Sequence, residues 1–162
     1  MKTIKFLSLV IVLLSTLSLL AAAKPAKDQK ASVSEPLSKI EILSPEGRRV
    51  VYEVEVAKNN KERTIGLMYR KHLDENKGMF FIFQHLRIHS MWMKNTHIPL
   101  DIIFIDKKLK IVGIVKNTVP FDESTIAVKA ESLYALEINA GQVDKYNITV
   151  GSLVVPHNIK LK

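Results

Sequence analysis

From about residue 40 onward the chain alternates between two hydrophobic periods. Ile40 and Ile42 alternate with Lys39 and Glu41. After a Ser44-Pro45-Glu46-Gly47 turn, Val50, Tyr52, Val54 and Val56 alternate with Val51, Glu53 and Glu55. Period two marks a half-buried strand, so the two runs predict a hairpin. Asn59 or Asn60 then offers an N-cap, and Lys61–Arg70 has helical spacing, with Ile65, Met68, Tyr69 and His72 on one side. Gly66 interrupts that helix at a cost of about 1 kcal/mol relative to Ala, which predicts a tight packing contact at its backbone. Asp74–Gly78 breaks the helix, and Met79–Phe83 reads as a strand apolar on both faces. Gln84–Arg87 reads as a turn, and Ile88–Met93 as a strand with Ile88, Ser90 and Trp92 on one face. Ile102–Ile105 and Ile111–Val115 flank the polar turn Asp106–Lys110 as a second hairpin. Thr125–Val128, Leu133–Ile138 and Leu153–Val155 complete the strands, with one or two helical turns at Gln142–Tyr146. Short strands with regular turn signals predict a mainly β domain, a compact sandwich or barrel with one or two short helices.

The first residues break this pattern. Lys2 and Lys5 precede an apolar run, Phe6–Leu20, which ends in Ala21-Ala22-Ala23. A positive flank, a short apolar core and small residues at the end predict a secretory signal peptide over residues 1–23. No membrane span is then expected in the mature chain. Residues 24–39 are polar and predict a flexible leader, leaving residues 40–162 as a single domain. The chain is expected to be exported, to the periplasm or the medium. It has no cysteine, which excludes a disulfide, a lipid-anchor cysteine, a thiolate metal site and a cysteine nucleophile. The formal charge is +8, but from Ile40 onward 18 Lys/Arg face 14 Asp/Glu. That is a mildly basic domain without the Arg-rich run of a nucleic-acid groove, so no nucleic-acid partner is expected.

Four ordered blocks carry a resemblance. They are Glu62-Arg63-x-x-Gly66-Leu67-Met68-x-Arg70, then Gly78-Met79-x-Phe81-x-Phe83. Trp92-Met93-x-Asn95-Thr96-x-Ile98-Pro99-Leu100-Asp101-x-x-Phe104 follows, and Ala135-Leu136-Glu137-x-Asn139-Ala140-Gly141 completes the set. Over about residues 42–155 the chain resembles the bacterial and archaeal family called domain of unknown function 192 (DUF192). The resemblance implies a compact, jelly-roll-like β fold and frequent export. It implies no reaction.

The stretch Met91–Asp101 concentrates the candidate chemistry: the single tryptophan, a polar Lys94-Asn95-Thr96 insertion, a proline and a carboxylate. Asp101 opens a buried strand, where an ionised carboxylate needs a partner. Arg63, Arg70 and Lys94 are the candidates, and an internal Arg–Asp bridge is the bland outcome. Glu137 has the same character between Leu136 and Ile138. If Asp101 and Glu137 shared a cavity they could serve as acid and base. Asn95 and Thr96 either satisfy a tight turn or recognise a ligand beside Trp92. Met68, Met79, Met91 and Met93 read as gap-fillers ahead of copper ligands. His85 and His89 have helical spacing on a segment that reads as a turn, and His72, His97 and His157 are scattered. No metal site and no cofactor are therefore expected.

Three functions fit these residues. The first is a non-catalytic module binding a small or polymeric ligand of the cell envelope, carbohydrate-like or anionic, through Arg63, Arg70, Trp92, Asn95, Thr96 and Asp101. The second is a hydrolase or lyase with Asp101 and Glu137 as its catalytic carboxylate pair. The third is a protein–protein module, its partner unspecified, whose signature residues only maintain the fold. The absence of a nucleophile motif, phosphate loop or dinucleotide fingerprint favours the first.

Overall fold

In the computed structural model, residues 37–161 are described, so the expected signal peptide and nearly all of the leader lie outside the described residues. Strands β1 (Lys39–Leu43) and β2 (Arg49–Ala57) form the expected hairpin, with Ile40 opposite Tyr52 and Ile42 opposite Val50. Helix α1 (Asn60–Ile65) starts at a capping box. Asn59 Oδ1 accepts the Glu62 N–H at 2.9 Å, and the Glu62 carboxylate accepts the Asn59 N–H at 3.1 Å. The helix is shorter than its spacing predicts because Gly66 leaves it at φ 47°, ψ −131°, a conformation that only glycine adopts without strain. A Cβ at Gly66 would also meet Phe81 Cζ at 3.3 Å, so the expected packing contact exists. Ile65 and Tyr69, expected on a packed side, are exposed, and Leu67 is buried instead.

Nineteen residues, 58–76, carry the chain from β2 to β3 (Lys77–Arg87), which lies parallel to β2. A parallel neighbour requires a crossover of this length, and α1 supplies part of it. β3 runs through Gln84–Arg87, the segment expected to turn. The strand expected over Ile88–Met93 shrinks to the two-residue β4 (Ser90–Met91). The remaining elements are β5 (Leu100–Ile105), β6 (Ile111–Val115), β7 (Ile126–Ala127), β8 (Ser132–Asn139), α2 (Gln142–Lys145) and β9 (Leu153–His157). Seven strands form one sheet in the order β6-β5-β8-β3-β2-β1-β9, and β4 pairs with β7 separately.

The expected mainly β class with two short helices holds, and the seven-stranded sheet curls into a half-barrel. Its two edge strands meet where Lys110 bridges Leu153. There the Val154 N–H donates to the Leu109 carbonyl at 2.8 Å and the Ile111 N–H to the Ser152 carbonyl at 3.0 Å. One hydrophobic core draws on all seven strands, with Tyr52, Phe80, Ile103, Leu136 and Val154 among its members, and fills the inside of the curl. A second core, including Leu67, Phe81, Phe83, Met93 and Leu100, lies on the outer face of β3, β5 and β8.

Asp101 lies on the inner face and has no exposure. It takes neither Arg63, Arg70 nor Lys94 as a partner. One oxygen accepts the backbone N–H of Asn117 and the other that of Val143, both at 2.9 Å. The carboxylate thus ties the end of β6 and the start of α2 to β5. Replacing it by alanine would strand two donors, each costing about 1–3 kcal/mol when buried and unsatisfied. Asp101→Ala is expected to lower the unfolding free energy by roughly 2–5 kcal/mol in denaturant titration, a loss too large for a residue that only touches a ligand.

Candidate functional site

Where β2 stops, β3 continues alone on that side. The register between them ends at Ala57 opposite Phe81. At the next residue, Arg63 takes over the work of the missing strand, its Nη1 donating to the Ile82 carbonyl and to the Lys58 carbonyl, each at 2.8 Å. Between α1, the far half of β3 and the Met91–Thr96 segment lies a cleft of about 570 Å³. Its apolar surfaces come from Phe81, Phe83, Leu67 and Met91, and its polar rim includes His85, Arg87 and Glu123. Trp92 forms part of the wall and is 44% exposed, with the Lys94 ammonium 5.5 Å from its ring centre.

Glu137 also lines this cleft. The pleat of β8 sends it outward, between Met79 of β3 on one side and Ile102 of β5 on the other. A Cβ on Gly66 would sit 3.8 Å from its Oε2, so the carboxyl packs closely under that bare backbone. Glu137 is 5% exposed. Among the described residues nothing donates a hydrogen bond to it or pairs with its charge. Burial alone pushes its pKa up to about 8, and the side chain is a neutral acid at neutral pH.

Close by, His89 is buried with its ring stacked on Phe83 at 3.7 Å between centres, and its Nε2–H donates to the His85 carbonyl at 2.9 Å. Desolvation pushes its pKa down, which keeps the imidazole neutral and leaves Nδ1 as an acceptor.

The cleft therefore gathers four of the candidate residues: Arg63, Trp92, Thr96 and Glu137. Thr96 is nearly buried, its hydroxyl donating to the Lys94 carbonyl at 3.2 Å, so it shapes the wall through turn chemistry. Asn95 lies outside the cleft at φ 53°. Its carbonyl accepts the Tyr69 N–H at 2.8 Å, and its amide donates to the Tyr69 hydroxyl at 3.0 Å. Arg70 lies elsewhere too, forked onto Glu55 at 2.5 and 2.7 Å. Asp101 is on the opposite face of the sheet from Glu137, because it pairs with Ile138 while Glu137 pairs with Ile102. The two carboxylates cannot flank one substrate. Among the described residues, no three His, Asp or Glu side chains gather as a metal site.

Phe83, His85, Arg87 and His89 follow Phe81 at intervals of two, and all line the cleft. The strand does not run evenly there: its pairing with β8 slips between Ile82 and Arg87, and Gln84 lines the cleft as well.

The neutral acid has a thermodynamic signature. In the unfolded chain a glutamate ionises near 4.5, whereas in the fold it keeps its proton until about pH 8. Between those values the folded state binds more protons than the unfolded one, so stability falls as pH rises and levels off above about 8. At about 1.4 kcal/mol per pH unit the full loss is on the order of 5 kcal/mol, less where cleft water solvates the carboxyl. Glu137→Gln is expected to remove this slope, so that its melting temperature overtakes that of the wild type above about pH 6. Parallel slopes in the two proteins would show an ordinary, ionised carboxylate.

Two solved structures share the architecture. One, from Sinorhizobium meliloti 1021, has a name that proposes a transcription regulator. It superposes with a TM-score of 0.73 at 35% identity, over 78% of this chain and 98% of its own. The other, from Novosphingobium aromaticivorans DSM 12444, is a protein of unknown function with a TM-score of 0.71 at 33% identity, over 83% of this chain and 94% of its own. Comparison with curated proteins gives no match. The family model described as "Uncharacterized ACR" matches residues 41–155, from the third residue of β1 into β9. With all four signature blocks inside the matched span, the chain belongs to the DUF192 family.

Proposed function

We propose that this chain is an exported, non-catalytic binding module that holds a small ligand, or one unit of a polymeric ligand of the cell envelope, in the cleft between α1 and β3. One observation carries the reading: Glu137 is 5% exposed, has no protein partner among the described residues, and lines the cleft of about 570 Å³. A buried polar group without a partner costs stability. A ligand that hydrogen-bonds to the carboxyl would recover that cost, while Trp92, with Met68 and Met91 in the same lining, supplies apolar contact area of the kind found in small-molecule sites. Arg63 and Thr96 contribute as wall residues. Arg70, Asn95 and Asp101 are committed to internal contacts and leave the ligand set. The carboxylate-pair hydrolase loses its support with the two acids on opposite faces.

The full chain is to be screened by thermal shift against monosaccharides, sugar acids, organic acids, amines and divalent metals. A ligand at about a hundred times its dissociation constant is expected to add about 2.7 kcal/mol of stability. Thr64, exposed on α1 and lining the cleft, offers a control, since Thr64→Trp would fill the space without touching the core. Loss of the shift in Thr64→Trp supports the site. A shift unchanged in that variant, or none with any class, refutes it. Export rests on the charged, then apolar, then small-residue pattern of residues 1–23. Fractionation of bacteria expressing the tagged chain is expected to recover a protein beginning near Lys24 outside the cytoplasm. A full-length product retained in the cytoplasm would overturn that expectation.

A further inference from the structure

The charges around the cleft narrow its ligand. Arg87 is exposed on β3 and its guanidinium has no partner among the described residues. His85, two positions earlier on the same face, is equally exposed. Arg63 keeps its charge in the α1 wall but spends its donors on the Lys58 and Ile82 carbonyls and on Asn60 Oδ1, and so does not neutralise Glu137. The other carboxylate at the rim, Glu123, lies 3.5 Å from the Lys94 ammonium. A ligand therefore meets positive charge at the rim and an uncharged carboxyl deeper in, with the exposed Trp92 ring alongside. An ammonium would have to pass two guanidinium groups. A molecule made only of apolar surface would leave the carboxyl as unpaired as before.

We infer that the cleft selects an oxygen-rich anionic small molecule of the sugar-acid class, its carboxylate against Arg87 and a hydroxyl or carbonyl oxygen on Glu137. This deepens the binding role proposed above and rests on it. Guanidinium and carboxylate make charge-assisted, two-pronged hydrogen bonds. The neutral Glu137 carboxyl donates its proton to one ligand oxygen and can accept from a neighbouring hydroxyl.

Binding is then linked to protons. Deprotonating Glu137 would remove the donor and set a negative charge against the ligand oxygen, so affinity falls as pH passes about 8. The other groups facing this carboxyl separate cleanly from it. Arg63 from α1 and Arg87 from β3 stay charged across that range. His89, after β3, is already neutral, and Glu123 is an exposed carboxylate beside Lys94. His85, exposed at the rim, is present in the wild type and in a Glu137 variant alike.

The test is calorimetric titration of the full chain with galacturonate and gluconate, and with galactose and galactosamine as neutral and cationic counterparts. The acids are expected to bind about tenfold or more tightly than either counterpart, and Arg87→Gln to erase most of that preference. Glu137→Gln is expected to weaken the acids at pH near 7 and to lose the further fall in affinity between about pH 7 and 9. Tightest binding of galactosamine, abolished by Glu137→Gln, would overturn the ligand class while leaving the cleft as a binding site. Preference for galactose over both acids would do the same. No binding of any of the four, with no thermal shift from the wider panel, would remove the binding role and this inference together.

Discussion

The alternation of side chains across β5 and β8 is the constraint from which the rest follows. These strands are neighbours inside the sheet and are buried on both faces over most of their length. Each brings one carboxylate into the interior. The register places Asp101 beside Ile138 and Glu137 beside Ile102, and a shift of one position in a pleated sheet reverses the face. The two acids consequently receive opposite treatment. Asp101 sits inside the curl, where the chain brings it two backbone donors. Glu137 emerges between Met79 and Ile102, where the sheet offers none. Keeping the proton is how a carboxyl survives such a place, since the ionised form in low dielectric would be far more costly.

The surroundings of Glu137 come from the way β3 outruns its parallel neighbour. β2 ends at Ala57, the crossover returns through α1, and Gly66 turns the chain away with no side chain to cover Phe81 or Glu137. Arg63 caps the Ile82 carbonyl that β2 no longer reaches, so one side chain both closes the sheet edge and fixes the helix that walls the cleft. The signature residues sort accordingly. Glu62 caps α1, Arg70 grips Glu55, Asn139 donates to the carbonyls of Leu73 and Asp74, and Asp101 braces β5. Arg63, Gly66, Met68, Phe81, Phe83, Trp92, Thr96 and Glu137 surround the cleft.

Much of this was legible in the residues. The period-two runs of β1 and β2, the apolar β3 and β5, the polar turn after Ile105 and the Asn59 cap all declare themselves locally, and the structure follows them. The spacing of Ile65, Met68, Tyr69 and His72 carries a helical period past the true end of α1, which the single glycine at 66 sets. The far half of β3 carries no clear period, because Gln84 ends the apolar run and the pairing with β8 slips between Ile82 and Arg87. Parallel pairing of β2 with β3 leaves no local trace, since it depends on where a nineteen-residue crossover lands. The separation of Asp101 from Glu137 was equally hidden. Both lie in apolar strands, and only the pairing register tells which face each acquires.

The chemistry of the cleft turns on Glu137 keeping its proton at neutral pH with no partner among the described residues. The most direct measurement is a pH titration followed by the side-chain carboxyl carbon resonances of protein labelled at glutamate, with Glu137→Gln used to assign the signal. A midpoint near 8 for that carbon is the expected result. A midpoint close to the 4.5 of an ordinary glutamate would mean that the carboxyl is solvated or paired, and the physical basis of the site would be gone.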